Sequence, residues 1–456
     1  MKKNYLFGTI AVSLLALGAC SSEDEPTLDG FLNDPDAQQI MIQVSNAEEA
    51  LDTRAGRPLL SSEAKQTIEN VKVIITDADA KVVYVTDYSN WTGDSKAYDT
   101  NGHGRQAVLS LTGNDRLEAG KAYKIYAIGY HSNSDYDLTA ITNVSKGGTF
   151  KDNAKISLKP EAKAVGEEVF AGSINHTVNS GEHAGFQINV VLNRQVAGAY
   201  GYFSAVPYVD GAAKLRLVAN TELNSDLILG GFRNTLLYQN GTNNLNAYVM
   251  NAANPKKDTK VIYEINLADW YGDKDGKIKD EAGDGLIDAT TWKQPESFGK
   301  TRIFKTGTCF GGNFLLPFAH STTATTATLE LELTDAAGKV LRAWPVKLGE
   351  GDKLLSSHTL YSWNGTVFAA ETGHSCGETT YNVVRNHLYG LGTRVYDNGV
   401  PPETPDPDPD KTPDDKDDPE PLNKKEQLTL RVNDNWEVLH KMGLGDAYDP
   451  ASTPAK

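Results

Sequence analysis

Along most of the chain apolar and polar residues alternate with a spacing of two, the mark of half-buried strands. QQIMIQVSN puts Ile40, Ile42 and Val44 on one side. VKVIITDADAKVVYVTD repeats the pattern twice around an Asp/Ala turn, with Val71, Val73 and Ile75 in the first run and Val83 and Val85 in the second. AVLSLTG, KAYKIYAIGY, KISLKP, FQINVVLNRQVAGAYGYFSAVP, KLRLVAN, KVIYEINLADW and HTLYSWNGTVF continue it. LELELTDAAGKVLRAWPV, two runs around Ala336, Ala337 and Gly338, is the clearest hairpin. Turn residues part the runs at β-sandwich intervals. The only helical signal is a short capped stretch, SSEAKQTIEN.

This pattern predicts an all-β protein. With 456 residues there is chain enough for two domains. The Gly/Asn/Ser-rich AGSINHTVNSGEHAG divides them near residue 185, giving domains at 55–185 and 186–400. Residues 401–422 form a linker with eight Pro and nine acidic residues between Pro401 and Pro421, too poor in apolar surface to offset ordering entropy. PDPDPD favours an extended polyproline conformation, reaching on the order of 60 Å at about 3.1 Å per residue. Beyond it, residues 423–456 resume a strand pattern in LTLRVND and VNDNWEVL.

The net charge of −16 argues against a nucleic-acid partner, which needs clustered Lys and Arg. Residues 1–19 read as a signal peptide: Lys2 and Lys3, an apolar run too short to span a bilayer, then small residues. Leu17, Gly18, Ala19 and Cys20 match the bacterial lipobox, with cleavage between Ala19 and Cys20 and lipid on Cys20. The acidic SSEDEP that follows is similar to a surface-export signal of Bacteroidetes lipoproteins. Acyl chains would attach the precursor to the outer membrane. Cys309 and Cys376 are then left either to pair, which would stabilise by about 4 kcal/mol for a loop of this length, or to sit as small buried apolar groups.

Two segments match each other. Ile40, Ile42 and Val44 fall at the positions of Leu428, Leu430 and Val432, while Met41 and Gln43 answer Thr429 and Arg431. Trp436 and Val438 extend the second segment. Either could enter one groove in one register. Arg54–Ala55, in a polar segment after the first strand, is a place for a protease to cut. Such a cut would free residues 20–54, strand and lipid together.

LGAC with its acidic follow-on, TRA at Thr53–Ala55, LEAGKAYKIYAIGY, LNRQVAGAYGY and YNVVRNHLYGLGTRV, with Val384, Arg385, Asn386 and His387 at its centre, resemble the Bacteroidetes fimbrillins, most nearly the major subunit of the minor fimbria. VNDNWEVL, with Trp436, is similar to the family's terminal strand. The resemblance implies two tandem β-sandwiches of transthyretin-like or Greek-key type with a flexible C-terminal donor strand. It implies a lipoprotein precursor cut after Arg54 by an arginine-specific protease. Copies would then polymerise, with accessory subunits, into an adhesive cell-surface fimbria that also serves biofilm formation. The acidic linker is longer than the family pattern requires, which leaves self-insertion, or a tip or anchor role, open.

Other chemistry is weak. YGDKDGKIKDEAGDGLID offers Asp273, Asp275 and Asp280 for calcium, but Tyr271 and Ala282 stand where EF-hand ligands belong. His374 near Cys376 lacks partners at zinc or Cys/His spacing. Nucleophile-elbow and phosphate-loop signatures are missing from the sequence, so the chain is not expected to be an enzyme or to carry a cofactor. Trp91, Trp270, Tyr271 and Trp292 offer a sugar platform or simple packing. A glycan-binding or adhesin lipoprotein and a surface glycosidase are the competing functions; neither needs a second matched strand.

Overall fold

The computed structural model describes residues 36–44, 68–97, 105–132, 134–159, 167–180, 184–219, 226–229, 236–238, 260–298, 304–316, 318–321, 329–348, 360–363, 368–370, 380–383, 387–392, 419–423, 438–444 and 447. Most of SSEAKQTIEN lies outside them; its last residue, Asn70, opens a strand. The first half carries β1 (Gln38–Val44), β2 (Asn70–Asp77), β3 (Val82–Tyr88), β4 (Lys96–Ala97), β5 (Arg105–Leu111), β6 (Ala122–Tyr130), β7 (Tyr136–Asp137), β8 (Lys155–Leu158), β9 (Phe170–Thr177) and β10 (Phe186–Arg194), with one-turn helices α1 (Trp91–Asp94) and α2 (Thr139–Thr142).

Eight of these strands run in the order β3-β2-β6-β9-β10-β1-β5-β4. The alternation seen in the sequence explains their layering. Val71, Val73 and Ile75 of β2, Ile125 of β6 and Phe170 of β9 meet Ile40 and Ile42 of β1, Leu109 and Leu111 of β5 and Val190 and Leu192 of β10 in one buried cluster. β10 belongs to both layers: its first seven residues pair with β1, its last two with Phe170 and Ala171 of β9. Gly172 makes the crossing possible, since a Cβ there would stand 2.0 Å from the carbonyl oxygen of Val191. Arg194 then locks it. Its Nε and a terminal nitrogen lie 2.9 and 2.8 Å from Glu168 Oε1, both side chains are almost wholly buried, and the guanidinium packs over the Phe170 ring.

The second half carries β11 (Ala197–Ser204), β12 (Ala212–Ala219), β13 (Asp226–Ile228), β14 (Leu236–Tyr238), β15 (Lys260–Asn266), α3 (Leu267–Tyr271), β16 (Thr308–Leu315), β17 (Phe318–Ser321), β18 (Leu329–Asp335), β19 (Val340–Leu348), β20 (Leu360–Trp363), β21 (Phe368–Ala370), β22 (Thr380–Val383), β23 (His387–Leu391), β24 (Glu420–Pro421) and β25 (Val438–Leu444). The main path is β15-β12-β18-β19-β25-β23-β11-β16, with β24 alongside β11. Its two ends fold back on each other: a Cβ on Gly311 of β16 would stand 2.6 Å from Ile265 Cγ1 of β15. The expected hairpin is β18–β19, turning through Gly338 at φ +88.

The chain leaves the first sheet at Arg194 and enters the second at Ala197, so β10 packs with the first sandwich rather than opening the second at residue 186. The halves also share a core. Ile74, Tyr126, Ile128, Tyr136, Phe150 and Ile156 of the first pack with Val196, Leu227, Leu229 and Leu316 of the second. β13 pairs antiparallel with β8, where Asp226 accepts from Lys155 Nζ and Ser157 Oγ, each at 2.6 Å. β2 is thereby buried on both faces.

Candidate functional site

β1 is a short segment from the N-terminal end of the chain, yet it lies inside a sheet. It runs parallel to β10, from Gln38 opposite Phe186 to Val44 opposite Leu192, and antiparallel to β5, from Gln38 opposite Leu111 to Val44 opposite Arg105. Every residue of it therefore has a partner strand on both sides. Ile40 and Ile42 are fully buried in the first core. Val44 is placed by its backbone pairing; its side chain lies outside the described residues.

The other row of β1 is buried too, which alternation alone does not reveal. Gln39, Met41 and Gln43 are 2%, 0% and 3% exposed. Their amides are used: Gln39 Nε2 donates to Ser110 Oγ at 3.1 Å and Gln43 Nε2 to Gln106 Oε1 at 3.1 Å, while Asn189 Nδ2 donates to Gln43 Oε1. At the strand's start the Gln38 amide clasps main chain. Its Nε2 donates to the carbonyls of Leu117 at 3.0 Å and Ala184 at 2.9 Å, and its Oε1 accepts from the Leu117 N–H at 2.7 Å. The available signal was that this row holds Gln and Met and no charge, as a strand buried on both faces requires.

The C-terminal end of the chain repeats the arrangement in the second sandwich. β25 runs parallel to β23, Val438 opposite His387, and antiparallel to β19, Leu444 opposite Val346. Met442 is fully buried in the second core and Leu444 packs against it. Of the candidate donor residues, Leu428, Leu430, Val432 and Trp436 lie outside the described residues, and Val438 opens β25. The linker also ends earlier than expected. Glu420 and Pro421 pair with Phe203 and Ser204 of β11, the Leu422 N–H donates to the Ser204 carbonyl at 3.0 Å, and the Leu422 side chain is buried. Leu422 is the first apolar residue after the acidic run, and its burial draws the two residues before it onto the sheet.

The remaining candidates scatter. Ala19, Cys20, Arg54, Ala55, His374, Cys376, Val384, Arg385 and Asn386 lie outside the described residues. Cys309 is a buried free thiol, pushed up to about 12 by burial. Trp91, Trp270 and Tyr271 are buried and Trp292 is half-buried, so they form no exposed sugar platform. Trp270 packs edge-on to Phe304, with centroids 5.1 Å apart. Asp273, Asp275 and Asp280 do not converge: among the described residues no group of three acidic, His or Cys side chains is arranged for a metal. Asp273 instead caps a turn, accepting from the Lys277 and Asp275 N–H groups and pairing with Lys279 at 3.3 Å; these bonds hold its carboxyl below the usual range. Asp280 caps the next turn through Gly283 and Gly285.

Fold and site together define a class: an all-β chain of two coupled sandwiches, each with a terminal strand seated within its sheet, parallel to one neighbour and antiparallel to the other. No protein-family profile and no curated protein matches the chain. Solved structures with a related chain path include the fimbrial anchor protein Mfa2 from Porphyromonas gingivalis, 11% identical over 76% of this chain and 99% of that one, with a TM-score of 0.33. The tip fimbrial protein Mfa3 of the same organism, with a C-terminal truncation, is 12% identical over 76% and 99%, at 0.33. A fimbrial assembly protein from Parabacteroides distasonis is 15% identical over 43% and 67%, at 0.26. Likenesses this loose decide nothing about function.

Proposed function

We propose that the chain is a structural subunit of a cell-surface fimbria that assembles by strand exchange. One observation carries the reading: β1 occupies a place between β10 and β5 that both neighbours line with ladder groups and apolar side chains. Taking β1 out would leave two unpaired strand edges and an apolar groove, a site that only another strand satisfies. In this reading Cys20 carries the lipid that holds the precursor at the outer membrane, an arginine-specific protease cuts between Arg54 and Ala55, and the Leu428, Leu430, Val432 row of another copy takes the vacated place. Head-to-tail donation does not close on itself, so it yields a filament. The chain acts as a building block for adhesion and biofilm formation rather than as an enzyme.

A second reading is favoured by β25. A subunit whose own C-terminal strand stays seated in its second sandwich accepts a neighbour without donating to one, as a filament's end piece would. Both are tested together by cutting the purified precursor with an arginine-specific protease and looking for ladders on an unboiled denaturing gel, for the unchanged chain and for Leu430→Asp. Leu430 is chosen because deleting the tail would also strip β25 from the second sandwich. Ladders lost in Leu430→Asp support donation. Ladders from both chains move the donor elsewhere, and a cut chain that only ever accepts a supplied donor peptide supports the end-piece reading. A cut chain that neither ladders nor takes a peptide sinks strand exchange.

A further inference from the structure

β1 and the junction between the halves lie on opposite faces of the same two strands. Val71, Val73 and Ile75 of β2 and Ile125 and Ala127 of β6 belong to the core that Ile40 and Ile42 of β1 complete. The residues between them, Ile74, Tyr126 and Ile128, belong to the core shared with the second half. One layer of backbone therefore separates the strand slot from the junction. β10 is a second link: it is paired to β1 along seven residues and to β9 along two, and it ends two residues before Val196, which is fully buried in the junction core. Between them the Gln195 N–H donates to the Val169 carbonyl at 2.8 Å, and its side-chain amide to the Asn193 carbonyl at 2.7 Å.

On its far side the junction is closed by a strap from the second half. Residues 226–229, which lie between β12 and β15 in the chain, run along β8 of the first half, with Leu227 opposite Ile156 and the Leu229 N–H donating to the Ala154 carbonyl at 3.0 Å. Leu227, Ile228 and Leu229 are 2%, 1% and 2% exposed, and Asp226 holds Lys155 and Ser157. Leu227 and Leu229 share one buried cluster with Ile74, Tyr126 and Ile128, so the strap is held only as well as β2 and β6 present that face.

Taking Ile40 and Ile42 out of the first core leaves space that close-packed neighbours fill only in part, by moving toward it. β2 and β6 cannot shift on one face without shifting the other, and β10 keeps only its two pairs to β9. We propose that the two seats are coupled: a strand in the β1 slot holds the strap 226–229 on the first half, and an empty slot lets it lift. The first half's grip on the second then depends on whether a strand is seated. Coupling between two seats is reciprocal, so a firmly held strap also tightens the slot's grip on whatever strand enters it. The coupling rests on the seating of β1 alone and needs no exchange between copies.

The test is full-length chain carrying Ile40→Asp and Ile42→Asp, whose own strand cannot seat in an apolar core, with and without excess synthetic peptide of residues 36–44, followed by hydrogen exchange and mass spectrometry. With the slot empty, the amides of residues 154–158 and 226–229 are expected to exchange about fivefold or more faster than with peptide bound, the lower end of the range for coupled sites. Amides of β18 and β19 should stay within about twofold, which separates lifting of the strap from general unfolding. In the other direction, Leu227→Ala in the same background should weaken binding of labelled peptide by about fivefold or more, read by fluorescence anisotropy. Met442→Ala, a truncation of like size in the second core, should leave binding within about twofold. Should the doubly substituted chain not fold, the chain cut after Arg54 and freed of its strand in mild urea replaces it. Peptide that binds without slowing exchange of the strap, or that binds the Leu227→Ala chain as tightly as its parent, overturns the coupling and leaves strand exchange standing. A chain that takes up no peptide in either form has no vacant state to couple, which overturns it equally.

Discussion

Ile42→Ala in β1 measures how firmly the first sandwich holds its terminal strand. Ile42 is fully buried among the cluster formed by β2, β5, β6, β9 and β10. Truncating such an isoleucine removes its transfer free energy and leaves a cavity that the surrounding strands fill only in part, together about 3 kcal/mol within a range of roughly 2 to 5. While the chain is intact this appears as lost stability of the first sandwich. After a cut at Arg54 the same deficit falls on a strand held without a covalent bond. At about 1.4 kcal/mol per factor of ten, release of the peptide containing β1 should quicken by on the order of a hundredfold. The assay is size-exclusion chromatography of the cut chain over time, with mass spectrometry of the peptide fraction and excess donor peptide present to prevent rebinding. Release of the Ile42→Ala peptide within threefold of the unchanged one would refute the argument, because the strand would then be held by something other than the pocket beneath Ile42.

Glu168→Ala removes the carboxylate partner of the buried Arg194 at the crossing of β10 between layers, and should lower unfolding stability by roughly 3 to 5 kcal/mol in urea. Met442→Ala should destabilise the second sandwich by about 2 to 5 kcal/mol and speed hydrogen exchange across residues 438–444; unchanged exchange would mean that β25 is rarely seated. Cys309 should resist alkylation in the folded chain well above pH 9 and react on unfolding, measured in a Cys376→Ser background. Because burial raises the folded thiol to about 12 from its ordinary value of 9.0, the unfolded chain loses its proton first; this group's contribution to stability is complete below pH 9 and fades between pH 9 and 12, readable as a falling melting temperature in that window relative to Cys309→Ala.

Much of the fold was legible because one rule, alternation with period two, governs most of its strands. β1, β2, β3, β6, β18 and β19 all stand where apolar rows such as Ile40/Ile42 and Val71/Val73/Ile75 placed them. The rule reports one face, and it fails where the other face is also covered. Glu330 and Glu332 on the polar side of β18 are 7% exposed, with Arg216 Nε 2.7 Å from Glu332, and the outer row of β1 is as dry as its inner one. The core shared between the halves escaped for another reason: Val196, Leu227 with Leu229, and Leu316 come from three segments far apart in sequence, and no local window links them. β25 escaped because His440 interrupts the row of Val438, Met442 and Leu444, while the other row holds Lys441 and Gly443. Within the candidate site the apolar half of the groove could be read in advance. The amide clasp of Gln38 could not, since its partners Leu117 and Ala184 are 79 and 146 positions away.

The placing of β1 also has a mechanical consequence. Its ladder bonds reach sideways to β10 and β5, across the direction in which the strand runs. Tension drawn lengthwise through this slot would therefore strain the rungs on both flanks together, in shear, and none could give way alone. Peeling the same strand outward from one end would break them singly. A joint of this geometry is strong against a tug and yields to a lift, so the direction of a force, more than its size, would decide whether the slot opens.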